Sequence, residues 1–309
     1  VFERARDRYR EGNWRRAVAL YEDNPAALDH RDLLRYADAL ANIRETVKAR
    51  AIYEQVSAAT DYDRRLQVRA RAAQLFLGVA EGDLPSAERG LRDLVEEIPE
   101  SYWAQLYLGR VLKAAGKRYE ALAVLYEAVD RESRDFRAYF EIGEIYEALF
   151  LFDAAIDAYE DAIYYNPRYA QAINNLGYCY KEKSVLVPGL RLYAYAVKKY
   201  REAIAIQPDN AGFYYNIGNA YTHQGKLRKA FQAYKTAVDL EPGFAKAHFN
   251  LARTYQRFRK LDKAIEEFEL YLRYGNPAVF DFVEQPEVVR EEIEAMKETL
   301  KRRGRWENP

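Results

Sequence analysis

The sequence predicts an all-α fold, a solenoid of stacked antiparallel helix pairs, and three observations carry that reading. Apolar residues recur at three- and four-residue spacing, the period of an amphipathic helix. The pattern itself repeats: FRAYFEIGEIYEALFLFDAAIDAYEDAIYYNP (136–167) and FYYNIGNAYTHQGKLRKAFQAYKTAVDLEP (213–242) share one frame when aligned on Gly143 and Gly218. Pro167 and Pro242 close the two copies, where a second helix has to end.

Each position in the frame has a physical task. Gly143 and Gly218 let the first helix approach the second closely, and Ala155, Ala230, Ala162 and Ala237 do the same from the other side. Tyr146, Tyr221, Tyr159 and Tyr234 are large enough to fill the space between layers. Gly225 falls where the two helices turn. A single hairpin leaves an apolar face uncovered, so neighbours must stack along one dimension.

Taken from the N-terminus, the units are 1–28 (incomplete), 30–63, 68–101, 102–135, 136–169, 170–210, 211–244 and 245–278. The first carries Gly12, Trp14, Ala17 and Tyr21, and the second Ala37, Leu40, Ala49 and Tyr53. Unit 102–135 fits through Leu108, Gly109, Leu112, Gly116, Ala121, Leu125 and Ala128. The last fits through Leu251, Ala252, Tyr255, Ala264, Phe268 and Tyr271, with Pro277 one place late. Residues 279–309 are expected to form a connector, packed down by Phe280 and Phe282, and a capping helix over 284–304 with acids early and bases late.

Unit 170–210 is seven residues longer than its neighbours, and the excess falls in KSVLVPGLRLYAYA, with 183–190 as the insertion. It is placed at the turn between the unit's two helices, each expected to grow by about one turn. Val185, Leu186, Val187, Leu190 and Leu192 are then either a flap packed on neighbouring turns or a docking edge.

With these residues in view the chain resembles the tetratricopeptide repeat family, whose 34-residue unit reads W-x-x-L-G-x-x-Y, A-x-x-x-F, Pro. The resemblance covers nearly the whole chain and implies a right-handed superhelix that binds protein or peptide partners in its concave groove. It further implies that the first helix of each unit lines that groove. The implied contacts are Asn174, Asn175, Tyr178 and Lys181 in one unit, Tyr215, Asn216 and Asn219 in the next, and Lys246, Phe249, Asn250, Arg253 and Arg257 in the last. Asn175, Asn216 and Asn250 would form a ladder of amides able to donate to and accept from an extended peptide. Lys246, Arg253 and Arg257 would make the last groove basic and suited to an acidic ligand. Upstream, Trp103, Arg110, Arg137, Phe140 and Glu144 form a second groove region of different character, in which Trp103 is a binding anchor or packs on Leu75 or Leu77.

Composition narrows the alternatives. Lys plus Arg and Asp plus Glu both number 48, so no global charge favours nucleic acid or an anionic membrane, and nucleic acid is not expected as a partner. No run of eighteen apolar residues provides a spanning helix. The opening VFERARDRYR is neither a Met start nor a secretion signal, which suggests a trimmed chain, and the compartment stays unassigned. The chain contains no G-x-x-x-x-G-K and no H-E-x-x-H, and His30, His223 and His248 lack the spacing of metal ligands. Cys179 takes a small core slot. The expectation is a non-enzymatic scaffold with no cofactor or metal. An assembly subunit, able to self-associate or to join a membrane-associated complex, and a recruiting region of a larger enzyme are the alternatives.

Overall fold

A computed structural model describes residues 2–59, 63–132, 134–187, 192–275 and 283–303. Its helices are α1 (Phe2–Arg10), α2 (Trp14–Glu22), α3 (His30–Asn42), α4 (Thr46–Ala58), α5 (Arg64–Glu81), α6 (Leu84–Glu97), α7 (Tyr102–Ala114), α8 (Arg118–Arg131), α9 (Phe136–Ala148) and α10 (Phe152–Tyr165). They continue with α11 (Ala170–Leu186), α12 (Tyr193–Ile206), α13 (Ala211–His223), α14 (Leu227–Leu240), α15 (Ala245–Arg257), α16 (Leu261–Tyr274) and α17 (Pro286–Arg302). No strand occurs among the described residues. The architecture is an all-α helical-repeat solenoid.

The hairpin turns show how sequence sets this pattern. Gly12, Arg44, Gly82, Gly116, Phe150, Gly225 and Arg259 have positive φ, and each ends the first helix of a pair. In every case the following amide donates to the carbonyl five residues back at 2.8–3.0 Å, as Lys117 does to Leu112 and Lys226 to Tyr221. This is a Schellman closure: the left-handed residue turns the chain while orphan carbonyls find donors. Starts are marked too, since Asp29, Asp63, Asp83, Ser101, Asp135 and Asn210 cap the helices that follow with side-chain oxygens.

Inside each pair the small-residue slot is enforced by its partner helix. A Cβ at Gly109 would stand 2.5 Å from Leu125, at Gly143 2.6 Å from Tyr159 and at Gly218 2.5 Å from Tyr234. Tyr21, Tyr53, Tyr159, Tyr200, Tyr234 and Tyr271 are among the largest fully buried side chains, so the tyrosine richness mainly builds the core.

The insertion lengthens one helix of its pair rather than both. α11 has 17 residues where α9, α13 and α15 have 13, whereas α12 has the 14 residues of α10, α14 and α16. Pro188, Gly189 and Leu190 lie outside the described residues, as do Pro277, Phe280 and Phe282.

The chain divides into two compact bodies, one ending at Cys179 and the other beginning at Tyr180. In the first, the array curves until its beginning meets its end. Asn166 Nδ2 donates to the Arg10 carbonyl at 2.8 Å, the Ala170 amide donates to the Glu11 carbonyl at 3.4 Å, and Arg168 pairs with the buried Glu11 carboxylate. In the second, Val289, Ile293, Met296 and Leu300 of α17 pack on Ala264, Ile265 and Phe268 of α16. The opposite face of α17 shows Glu291, Glu294 and Lys301 to solvent.

Candidate functional site

Closure of the first body turns its concave side into an interior. Six helices (α1, α3, α4, α5, α7 and α9) send polar groups into it, with Asp38 of α3 at the centre. Its Oδ1 accepts from Tyr53 Oη at 2.7 Å, and its Oδ2 accepts from Tyr9 Oη at 2.7 Å and from Arg69. Tyr9 Oη in turn lies 3.4 Å from both Arg69 Nη2 and Arg137 Nη2. Burial opposes ionisation of Asp38, but the Arg69 charge and the two phenol donors outweigh it and hold its carboxyl below the usual range.

Trp103, Arg110, Arg137 and Phe140 all face this interior, so the upstream residues are brought together but do not form an open groove. Trp103 packs against the apolar cluster that includes Leu77 and also meets cations: the Arg69 and Arg137 guanidinia lie 4.4 Å and 5.0 Å from its ring. Leu75 fills the space over Gly90. Arg110 sits 4.2 Å over Phe76 and meets Glu141 Oε1 through Nε at 2.9 Å. Glu141 is shared with Lys113, which also holds Glu144 at 2.5 Å. Phe140 is buried against Tyr159 and Tyr169. A cavity of about 130 Å³ remains among these groups.

Asn174 and Asn175 belong to the same body and are buried. Asn175 donates to Tyr159 Oη at 3.2 Å, while its Oδ1 accepts from Gln171 at 3.0 Å and Asn174 at 3.1 Å. These amides hold helices together and do not line a surface, which corrects the expectation of direct peptide contact. Tyr178 is half-buried beside Glu144 and Glu147 at the rim of a shallow depression.

In the second body the amide ladder has a different register. Asn219 Oδ1 accepts from Asn250 Nδ2 at 2.9 Å and from Tyr234 Oη at 2.7 Å, so Asn250 pairs with Asn219 and not with Asn216. Asn216 and Lys246 are half-buried, and Tyr215 packs its ring 5.2 Å from Phe244. Phe249 is core: it is buried on Phe268 and Tyr271 at ring distances of 5.6 and 5.0 Å, because its α15 position points at α16. Lys181 is buried and pairs with Glu182.

A surface groove of about 590 Å³ runs along α13 and α15, lined by Thr222, Asn250, Arg253, Gln256 and Arg257. Arg253 is partly neutralised by Glu292 of α17 at 2.5 Å and lies 5.0 Å over Phe249. Gln256 reaches the same Glu292 at 2.8 Å. Arg257 is exposed and makes no ion pair among the described residues. The neutralising role of α17 was not legible in the sequence, because Glu292 is one acid among many on that helix.

At the insertion Val185, Leu186 and Val187 are 41, 64 and 48% exposed, whereas Leu192 is half-buried with its amide donating to Ser184 Oγ at 2.6 Å. Leu190 is outside the described residues. Among the described residues no cluster of His, Cys, Asp and Glu could hold a metal ion, and no helix is long and apolar enough to cross a membrane.

Comparison with known proteins fits this geometry. A family described as TPR repeat matches residues 193–225 and 218–257, and one described as Tetratricopeptide repeat matches 136–169 and 245–274. No curated protein sequence matches the chain. Among solved structures, a thermophilic TPR protein of Thermus thermophilus aligns at TM-score 0.50 and 21% identity, covering 63% of this chain and 98% of that one. The Cut9–Hcn1 hetero-tetramer of the APC/C aligns at TM-score 0.64 and 18% identity over 93% of this chain and 53% of that one. A human IFIT1 dimer with PPP-AAAA aligns at 0.63 and 15% over 94% and 70%. Identities this low carry the fold alone. Matched repeats, Schellman-closed hairpins and glycine-on-tyrosine packing agree, and the chain is a member of the tetratricopeptide repeat family.

Proposed function

We propose that the second body is a non-enzymatic interaction module that binds an extended, acidic segment of a partner protein in the groove of α13 and α15. The observation that carries this reading is Arg257: an exposed guanidinium with no ion pair among the described residues, lining a groove whose other lining groups, Leu227 apart, are polar. Proteins of this family bind protein or peptide partners, and Arg rewards carboxylates through paired charge-assisted bonds. Asn250, whose Nδ2 is engaged by Asn219, adds its Oδ1 as an acceptor for a peptide backbone. Arg253 contributes less than its sequence position implies, since Glu292 already engages it.

The test is to reverse Lys246 and Arg257 to Glu together, leaving Arg253 in place so that α17 keeps its anchor. Capture of an acidic partner should weaken about tenfold and lose most of its salt dependence. Undiminished capture by the folded double variant refutes the reading. A second reading, docking through the insertion, draws on the exposure of Leu186. Leu186→Glu should then abolish one partner while the groove still binds its own; retention of every partner removes that reading.

A further inference from the structure

We propose that the interior of the first body is a binding pocket for a small monocarboxylate whose apolar part is about the size of a benzene ring. The inference is independent of the groove in the second body. It begins from volume: the cavity of about 130 Å³ is close to the size of an apolar protein cavity known to admit benzene, about 150 Å³. Phe76, Phe140 and Trp14 supply flat apolar wall.

The hydrogen-bond inventory supplies the polarity. Both carboxylates that line the cavity are spent on this chain's own donors. Asp38 accepts from Tyr53, Tyr9 and Arg69, and Glu141 is held by Arg110 and Lys113. The unspent groups are donors. Tyr107 and Tyr169 line the same cavity, are only 5% and 9% exposed, and neither hydroxyl has a hydrogen-bond partner among the described residues. Arg110 engages Glu141 through Nε and lies beside them. Two phenols without acceptors, beside a guanidinium that meets its carboxylate through Nε, around a benzene-sized space, call for a ligand that brings acceptors on a flat apolar body. A carboxylate satisfies them. An ammonium would face donors, and a plain hydrocarbon would leave both phenols unpaired.

The test uses the full chain with benzoate, benzylamine and toluene, read by titration calorimetry and by hydrogen exchange. Benzoate should bind, benzylamine should not, and toluene should bind at least tenfold more weakly. Benzoate should slow exchange in α7 and α9, which carry Tyr107 and Phe140. The double variant Tyr107→Phe, Tyr169→Phe removes only the two hydroxyls and should weaken benzoate at least tenfold while leaving toluene unchanged. No benzoate binding to the wild-type chain, equal binding of toluene, protection confined to other helices, or unchanged benzoate affinity in the double variant each overturns the proposal.

Discussion

Two substitutions at equivalent turns isolate one backbone term with opposite signs. Gly225 has φ 70° and ends α13, and Arg259 has φ 58° and ends α15 one repeat later. A Cβ at Gly225 would meet nothing within 4 Å, so Gly225→Ala adds no clash and tests the backbone alone. Placing an L side chain in the left-handed region costs about 1–2 kcal/mol. Narrowing the unfolded ensemble returns about 0.4–1 kcal/mol. The net expectation is a loss of about 0.5–1 kcal/mol for Gly225→Ala. Arg259 is exposed, and Arg259→Gly should give a gain of similar size, with the double variant close to wild type. Urea midpoints followed by circular dichroism measure both, with hydrogen exchange in α13 to α16 as the local readout. A stabilising Gly225→Ala, or a destabilising Arg259→Gly, would refute the claim that left-handed turn residues set these hairpins.

Other outcomes follow from packing and charge. Gly218→Ala should cost about 1–3 kcal/mol, because its Cβ falls 2.5 Å from the buried Tyr234 ring; chemical denaturation measures it. Asp38→Ala leaves Arg69 buried without its partner and should cost about 3–5 kcal/mol, with exchange accelerating across the first body. His248 is buried with Nδ1 2.6 Å from Glu267 and Nε2 2.9 Å from the Pro242 carbonyl, two acceptors that only the doubly protonated ring can satisfy. Burial disfavours that cation, yet the Glu267 bond prevails and its pKa is raised above 6.5. A group raised on folding stabilises fully below its unfolded pKa, and that contribution disappears as pH rises through the folded value. The urea midpoint of the second body should therefore fall as pH rises above the unfolded histidine value of about 6.5, and His248→Gln should flatten the fall.

The helices and their pairing were legible because each slot is chemically narrow: a small residue under a large one, a turn residue, a closing proline. Where a slot tolerates many residues, legibility ends. Phe150, Arg44 and Arg259 occupy turns that elsewhere use Gly, and nothing in their identity announces positive φ. Of the positions assigned to the groove by slot, Asn250 and Arg257 line the depression along α13 and α15, whereas Phe249, Asn174 and Asn175 are buried. Transfer by slot assumes one fixed rotation for every first helix, and a shift of one position moves a side chain from groove to core. The Asp38–Arg69–Tyr9 cluster escapes the sequence for a different reason. Its members lie on three helices separated by up to 60 residues, and only the curvature of the array brings them together.

The contact between Glu11 and Arg168 spans 157 residues in a fold whose other contacts are mostly between neighbours. An open solenoid unravels from its ends, repeat by repeat, because each repeat is held by the next. The first body has its ends joined, so fraying at α1 exposes the interior charges and weakens α9 and α10 at the same moment. Its unfolding should thus be that of a clasped loop: steep, concerted, and sensitive to cuts at the clasp rather than to the number of repeats removed.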